Sequence, residues 1–268
     1  MRNLGDQYKG FEIIQADELA PLIEMRQKIF DLTRGLFGLP EICPEEGLNS
    51  LHKLVPNLSP GEFNERRTKL ITLINDRVNC GEIIYSVFQD YLHKNLGPDL
   101  LVQKNTNLVL QQPGDPNPSE LHRDAPLNSC YEMVLWVPLV DCFRTKSMYM
   151  LSHSETKRAY ANLKQHGCWQ KFEKDSIDAA VNPSVKFGQA LAFSATVLHG
   201  SEVNIENETR VSLNVRYKNL FSPSGLKNQL QFFELLTVSD FAKVGADLEF
   251  DVLNCANAKQ REKYDNGG

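Results

Sequence analysis

Between residues 100 and 220 the chain breaks into short β-favouring runs: "DLLVQKNTNLVLQQ", "YEMVLWVPLVDC", "KSMYMLSHS", "QALAFSAT" and "TRVSLNVRYKNL". Pro, Gly, Asn and Asp separate them, as turn-forming residues do between strands. One insertion, residues 154–183, reads as helix and loop; otherwise no helix-length segment intervenes. Parallel neighbours need crossovers of a dozen or more residues, usually helical. The spacing therefore predicts an antiparallel barrel or jelly roll, not a doubly wound sheet.

The flanks have a different period. In "ADELAPLIEMRQKIFDLTRGLFG", Leu19, Leu22, Ile23, Ile29, Phe30 and Leu36 recur at three- and four-residue steps, with Gly38 as a stop. Ser59-Pro60 opens a second helical stretch, long enough for two helices with a break at Gly81. No flexible linker follows, so residues 1–98 are expected to pack on the barrel as a helical elaboration of one domain, 1–268. The β core covers 99–222. Residues 223–268 read as C-terminal helices ending in the tail "AKQREKYDNGG". The expected class is mainly β with α elaborations.

Composition excludes several functions. A net charge of −5 and a pI near 5.7 leave no basic footprint for nucleic acid. No apolar run reaches membrane-span length, and the N-terminus lacks a signal-peptide pattern. Cys43, Cys80, Cys130, Cys142, Cys168 and Cys255 are scattered without paired spacing. They read as reduced, mostly buried thiols of a cytoplasmic protein.

The chemistry sits in "SELHRDAPLNS", residues 119–129. His122 and Asp124, two apart, share one side of an extended segment. Alone such a pair is common; a metal site needs a third ligand. His199 ends an apolar run and precedes Gly200 in a turn. Inward positions of a small barrel come from every strand, so the three can converge. Two imidazoles and one carboxylate on one face of an ion form the facial set of non-haem Fe(II), with positions left for a cosubstrate and O₂. No Cys lies near either His in ligand spacing, which argues against a closed zinc site. His52, His93, His153 and His166 are expected to take no part.

"RVSLNVRY" alternates strictly, with Arg210, Ser212, Asn214 and Arg216 on one face. An inward Arg beside a metal needs a partner anion, because a buried unpaired guanidinium is very costly. A dicarboxylic 2-oxo acid supplies one: its 2-oxo end chelates the ion and its distal carboxylate takes Arg210 and Ser212. Gln111, on the strand before the His-Arg-Asp loop, is a candidate for the chelating end. Arg216 lies too far along the strand to share that carboxylate. Its expected role is a structural ion pair, the alternative being an anionic part of the substrate. Trp136 and Tyr131 read as core.

His122-Arg-Asp124, then His199, ten residues, and Arg210-Val-Ser212, resemble the signature of Fe(II)/2-oxoglutarate-dependent dioxygenases. "LWVPLVDCFRTKSMYMLSHSE" and "FGQALAFSATVLHGSEVN" are similar to the connecting segments of the phytanoyl-CoA hydroxylase-like branch, although "LSHS" lacks the usual Pro-Gly. The N-terminal helices and "RVSLNVRY" resemble StrG-like oxygenases of carbohydrate and antibiotic-sugar gene clusters. The resemblance covers residues 100–222. It implies a double-stranded β-helix and a cytoplasmic oxidoreductase using Fe(II), 2-oxoglutarate and O₂. The implied partner is a small molecule, a sugar or sugar conjugate, which the helical N-terminus and the 154–183 insertion would help to enclose. Alternatives are hydroxylation of an amino acid or acyl group, or a non-catalytic metal- or sugar-binding barrel.

Overall fold

The structure is a computed structural model that describes residues 9–55, 57–125, 129–226 and 229–244. In chain order the elements are β1 (Phe11–Gln15), α1 (Ala20–Phe37), α2 (Pro44–Asn49), α3 (Leu51–Leu54), α4 (Pro60–Arg77) and α5 (Cys80–Leu96). Next come β2 (Leu100–Gln103), β3 (Asn107–Gln111), β4 (Met133–Pro138) and β5 (Tyr149–Met150). Helices α6 (His153–His166) and α7 (Trp169–Asp178) fill the insertion. The chain continues with β6 (Gln189–Ser194), β7 (His199–Gly200), β8 (Arg210–Asn219), α8 (Gln229–Phe232) and β9 (Phe233–Thr237).

Strand β8 organises the rest. β4 runs along one edge, from Met133 opposite Tyr217 to Pro138 opposite Ser212. The other edge is shared: β3 takes Arg210 to Asn214, and β2 takes Tyr217 to Asn219. The full order is β1-β6-β4-β8-β2-β9, antiparallel throughout, with β3 also on β8. β5 and β7 form a second sheet, widened by bridges from Met150 to Val181 and from His122 to His199.

Side-chain alternation turns these sheets into layers. Every residue of β4 is buried. Met133, Leu135 and Val137 join Val211, Leu213, Val215 and Tyr217 in a core shared with α1, α4 and α5. Val134 and Trp136 point the other way, into a core with Met148, Met150, Phe193 and Val197 between the sheets. Beyond the second sheet, Tyr149, Leu151 and Leu198 pack with Phe172 under α6 and α7. Burial on both faces explains why "MVLWV" reads as one apolar run.

The helices begin and end where local chemistry directs. Gly38 adopts φ 69° and caps α1. Ser59 and Glu62 form a reciprocal capping box at the start of α4. The buried stripe of α1 is Leu22, Met25, Ile29, Phe30 and Phe37, whereas Leu19 and Ile23 are exposed. The break between α4 and α5 falls at Val78-Asn79, not at Gly81. Gly81 sits in the first turn of α5 because a Cβ there would stand 2.8 Å from a Val102 methyl.

Other expectations are corrected. β1 lies in the zone read as helical, and β9 in the region read as helix and coil. Each is mostly solvent-facing, so its strand state comes from pairing with β6 or β2 rather than from an apolar alternation. Tyr131 is 60% exposed, not core; Trp136 is fully buried. Of the described thiols, all free, only Cys80 and Cys142 are buried. The tail "AKQREKYDNGG" and Cys255 lie outside the described residues. Among the described residues no helix is long and apolar enough to cross a membrane.

Candidate metal centre and its cleft

His122 arrives on an irregular segment after the Pro-rich loop, and its backbone decides where it docks. Its N–H donates to the His199 carbonyl and its carbonyl accepts from the His199 N–H, both at 2.9 Å. This two-way pairing brings the imidazoles to a centroid separation of 4.3 Å. Phe193 meets the His199 ring edge-on from the sheet opposite. Gly200 next to it has no room for a side chain, since a Cβ would press into the Tyr149 ring and lie 2.9 Å from the Ser119 carbonyl oxygen.

Both imidazoles present the same nitrogen inward. His122 Nδ1 is 2.7 Å from the Glu120 carbonyl, and His199 Nδ1 is 3.0 Å from the Val197 carbonyl. A carbonyl only accepts, so each Nδ1 carries the proton and each Nε2 keeps its lone pair. Burial, then the neighbouring His122, presses the His199 pKa down to about 4, so its ring is neutral at pH 7.

Asp124 completes the group. Its Oδ1 lies 3.9 Å from His122 Nε2. Its Oδ2 accepts from Arg216 Nη2 at 2.9 Å and Nε at 3.3 Å. One ligand atom from each of His122, Asp124 and His199 lies within 4.8 Å of the others, and this is the group of that kind found among the described residues. Two bonds of ~2.1 Å to one ion span at most ~4.2 Å, so small side-chain rotations close the set. Two imidazoles and one carboxylate suit a divalent transition metal. The other imidazoles are elsewhere: His52 contacts Thr209, His93 contacts Tyr85, and His153 and His166 bound α6.

A cleft of about 720 Å³ opens over this group. Its floor carries the polar face of β8. Arg210 is buried; its Nη1 donates to the Ser147 carbonyl at 3.1 Å, while its Nε has no partner. No carboxylate pairs with it among the described residues. Ser212 Oγ and Asn214 Oδ1 are likewise buried without partners. Gln111, opposite Arg210 in the register, donates to the Glu202 carbonyl at 2.8 Å and leaves its Oε1 unpaired. Gln111, Arg210 and Asn214 line the cleft and each has an unsatisfied polar atom, which suits a polar ligand; Ser212 shares the strand face of Arg210 but is not in the lining.

Arg216 does pair with a carboxylate, but that carboxylate is Asp124 itself, not a remote structural one. The insertion does not line this cleft: α6 and α7 lie behind the second sheet. Its outer wall is instead Val55, Leu58, Phe63, Asn64 and Arg67 from the start of α4 and the segment before it, with Asn107 of β3. The helical N-terminus was expected to help enclose the substrate, but which of its residues do so depends on which face of α4 meets β3.

No family model matches the chain, and no curated protein matches it. Solved structures do. ThoJ, a non-heme monooxygenase, aligns over 96% of this chain and 96% of its own, with TM-score 0.50 and 15% identity. AviO1 from Streptomyces viridochromogenes Tue57 aligns over 82% and 94%, with TM-score 0.48 and 17% identity. EctD from S. alaskensis, with bound Fe, aligns over 87% and 81%, with TM-score 0.49 and 13% identity. At such identities the likeness is one of architecture: the chain shares the jelly-roll fold of a non-heme monooxygenase.

Proposed function

We propose that this protein is an Fe(II)- and 2-oxoglutarate-dependent dioxygenase, an oxidoreductase acting on a small molecule. One observation carries the reading: a buried guanidinium, Arg210, without a counter-anion among the described residues, in the same cleft as a His-His-Asp group. Leaving such a charge unpaired costs several kcal/mol, of order 3–5 when a partner is removed. A ligand that brings a carboxylate to Arg210 and a chelating end to the ion relieves it. The fold likeness to ThoJ supports the same class.

In this reading His122, Asp124 and His199 hold the ion. Bound iron supplies activation of O₂ and oxidative decarboxylation of 2-oxoglutarate to succinate and CO₂, coupled to oxidation of a substrate C–H bond. Arg210 takes the distal carboxylate with its fork, and Ser212 donates its hydroxyl beside it. Gln111, opposite Arg210 on β3, presents its free amide oxygen at the same end of the cleft as Arg210. Trp136, fully buried on the same floor, keeps that part of the cleft dry.

The substrate we propose is a sugar or sugar conjugate. The cleft is rich in uncharged amides, Asn64, Asn107, Gln112 and Asn214, beside the apolar Phe63 and Leu58. Amides both donate to and accept from hydroxyl groups, and an aromatic face covers C–H surface. The resemblance to StrG-like oxygenases points the same way. The test is a panel of sugars, nucleotide sugars, amino acids and acyl thioesters incubated with Fe(II), 2-oxoglutarate and O₂. Mass spectrometry reads products and succinate. A sugar that gains oxygen or loses hydrogen in step with succinate supports the proposal. An oxidised amino acid or acyl group with sugars inert refutes the substrate class but not the chemistry.

A further inference from the structure

We infer that Arg216 is a positioning residue for the metal ligand Asp124: it holds one carboxylate oxygen so that the other faces the ion. The inference rests on the metal-centre reading above. Asp124 stands on an irregular segment, outside any strand. The terminal torsion of a carboxylate is broad and roughly two-fold, so packing alone does not choose which oxygen, or how many, meets an ion. Arg216 makes that choice. Its Nε and Nη2 both donate to Oδ2, leaving Oδ1 on the His122 side.

The arginine is itself braced. Its Nη1 donates to Gln103 Oε1 at 3.1 Å, and its backbone pairs with Val134 of β4. Both members of the ion pair are mostly shielded from water, at 16% and 9% side-chain exposure, so the pair is only weakly screened. A carboxylate binding through one oxygen occupies one coordination position; through two it would take another from the cosubstrate or O₂. Arg216 therefore protects the openness of the site. A second consequence concerns the substrate. With its guanidinium committed to Asp124 and Gln103, Arg216 is not free to act as an anion receptor for the substrate.

The test is metal binding by the full-length protein, with Ni(II) and Co(II) as probes and near-UV circular dichroism as the check on folding. Removing a positive charge beside a cation site by itself strengthens cation binding. A positioning role has the opposite sign. Arg216→Met should weaken Ni(II) binding by about 10- to 100-fold, as loss of outer-shell partners does. The absorption bands of bound Co(II) should also change, as Asp124 becomes free to use both oxygens. Gln103→Leu keeps the ion pair but removes its brace, and should weaken Ni(II) binding several-fold with folding intact. Should both variants bind Ni(II) as tightly as wild type, or more tightly, the positioning role is wrong while the metal centre stands. A wild-type protein that binds neither ion overturns the metal centre and this inference together.

Discussion

Arg210 and Arg216 lie on the same face of one strand, roughly 20 Å apart by strand rise, and the structure gives them different partners. Arg216 is closed by Asp124 and Gln103; among the described residues Arg210 has only the Ser147 carbonyl. Changing Arg210 to Lys keeps a charge but loses the planar fork. We expect 2-oxoglutarate binding to weaken at least tenfold, about 1.4 kcal/mol, with Ni(II) affinity unchanged. Calorimetry of both ligands on one preparation checks it. Equal loss of metal and 2-oxoglutarate would mean that the variant has disturbed the barrel. At this scale much was legible in the sequence. The alternation of "RVSLNVRY" puts its polar residues on one face, whereas His122 and Asp124 stand on an irregular segment, where strand alternation is not what brings them together. The partner of Arg216 was not legible, because strand period gives the direction of a side chain and not which distant loop meets it.

Elements show the same division. Capping chemistry marks the starts and stops: Ser59 with Glu62, and Gly38 in a left-handed conformation. β4, β6 and β8 declare themselves by composition, since burial on both faces demands apolar or strictly alternating residues. β1 and β9 carry little such signal, because their partners' open edges supply most of what makes them strands. Gly81 misled for a related reason. Glycine more often ends a helix than serves a close approach, and here α5 lies so near β2 that a methyl does not fit. Gly81→Val should therefore destabilise the protein by about 1–3 kcal/mol through overpacking against Val102. Urea denaturation measures it. A gain in stability would show that helix propensity outweighs the contact.

At the scale of the whole molecule, the layers explain why the reacting groups sit where they do. Helices α1, α4 and α5 bury one face of the large sheet, which leaves the polar face of β8 turned toward the second sheet. The second sheet contributes His199 and, through the backbone bridge, His122. The start of α4 then overhangs the cleft and supplies its outer wall, a task expected of the insertion as well. The insertion instead packs behind the second sheet. The sequence shows an insertion's length but not the side of the barrel on which it lands. The central claim joins both ends of the cleft: an ion at His122, Asp124 and His199, and a 2-oxo dicarboxylate reaching from it to Arg210. The most direct test is an anaerobic calorimetric titration of 2-oxoglutarate into the protein with and without Fe(II). The account predicts one 2-oxoglutarate per chain, bound tightly only when Fe(II) is present, and lost in His199→Ala. Binding that is indifferent to Fe(II) and to His199, or no binding at all, would contradict it.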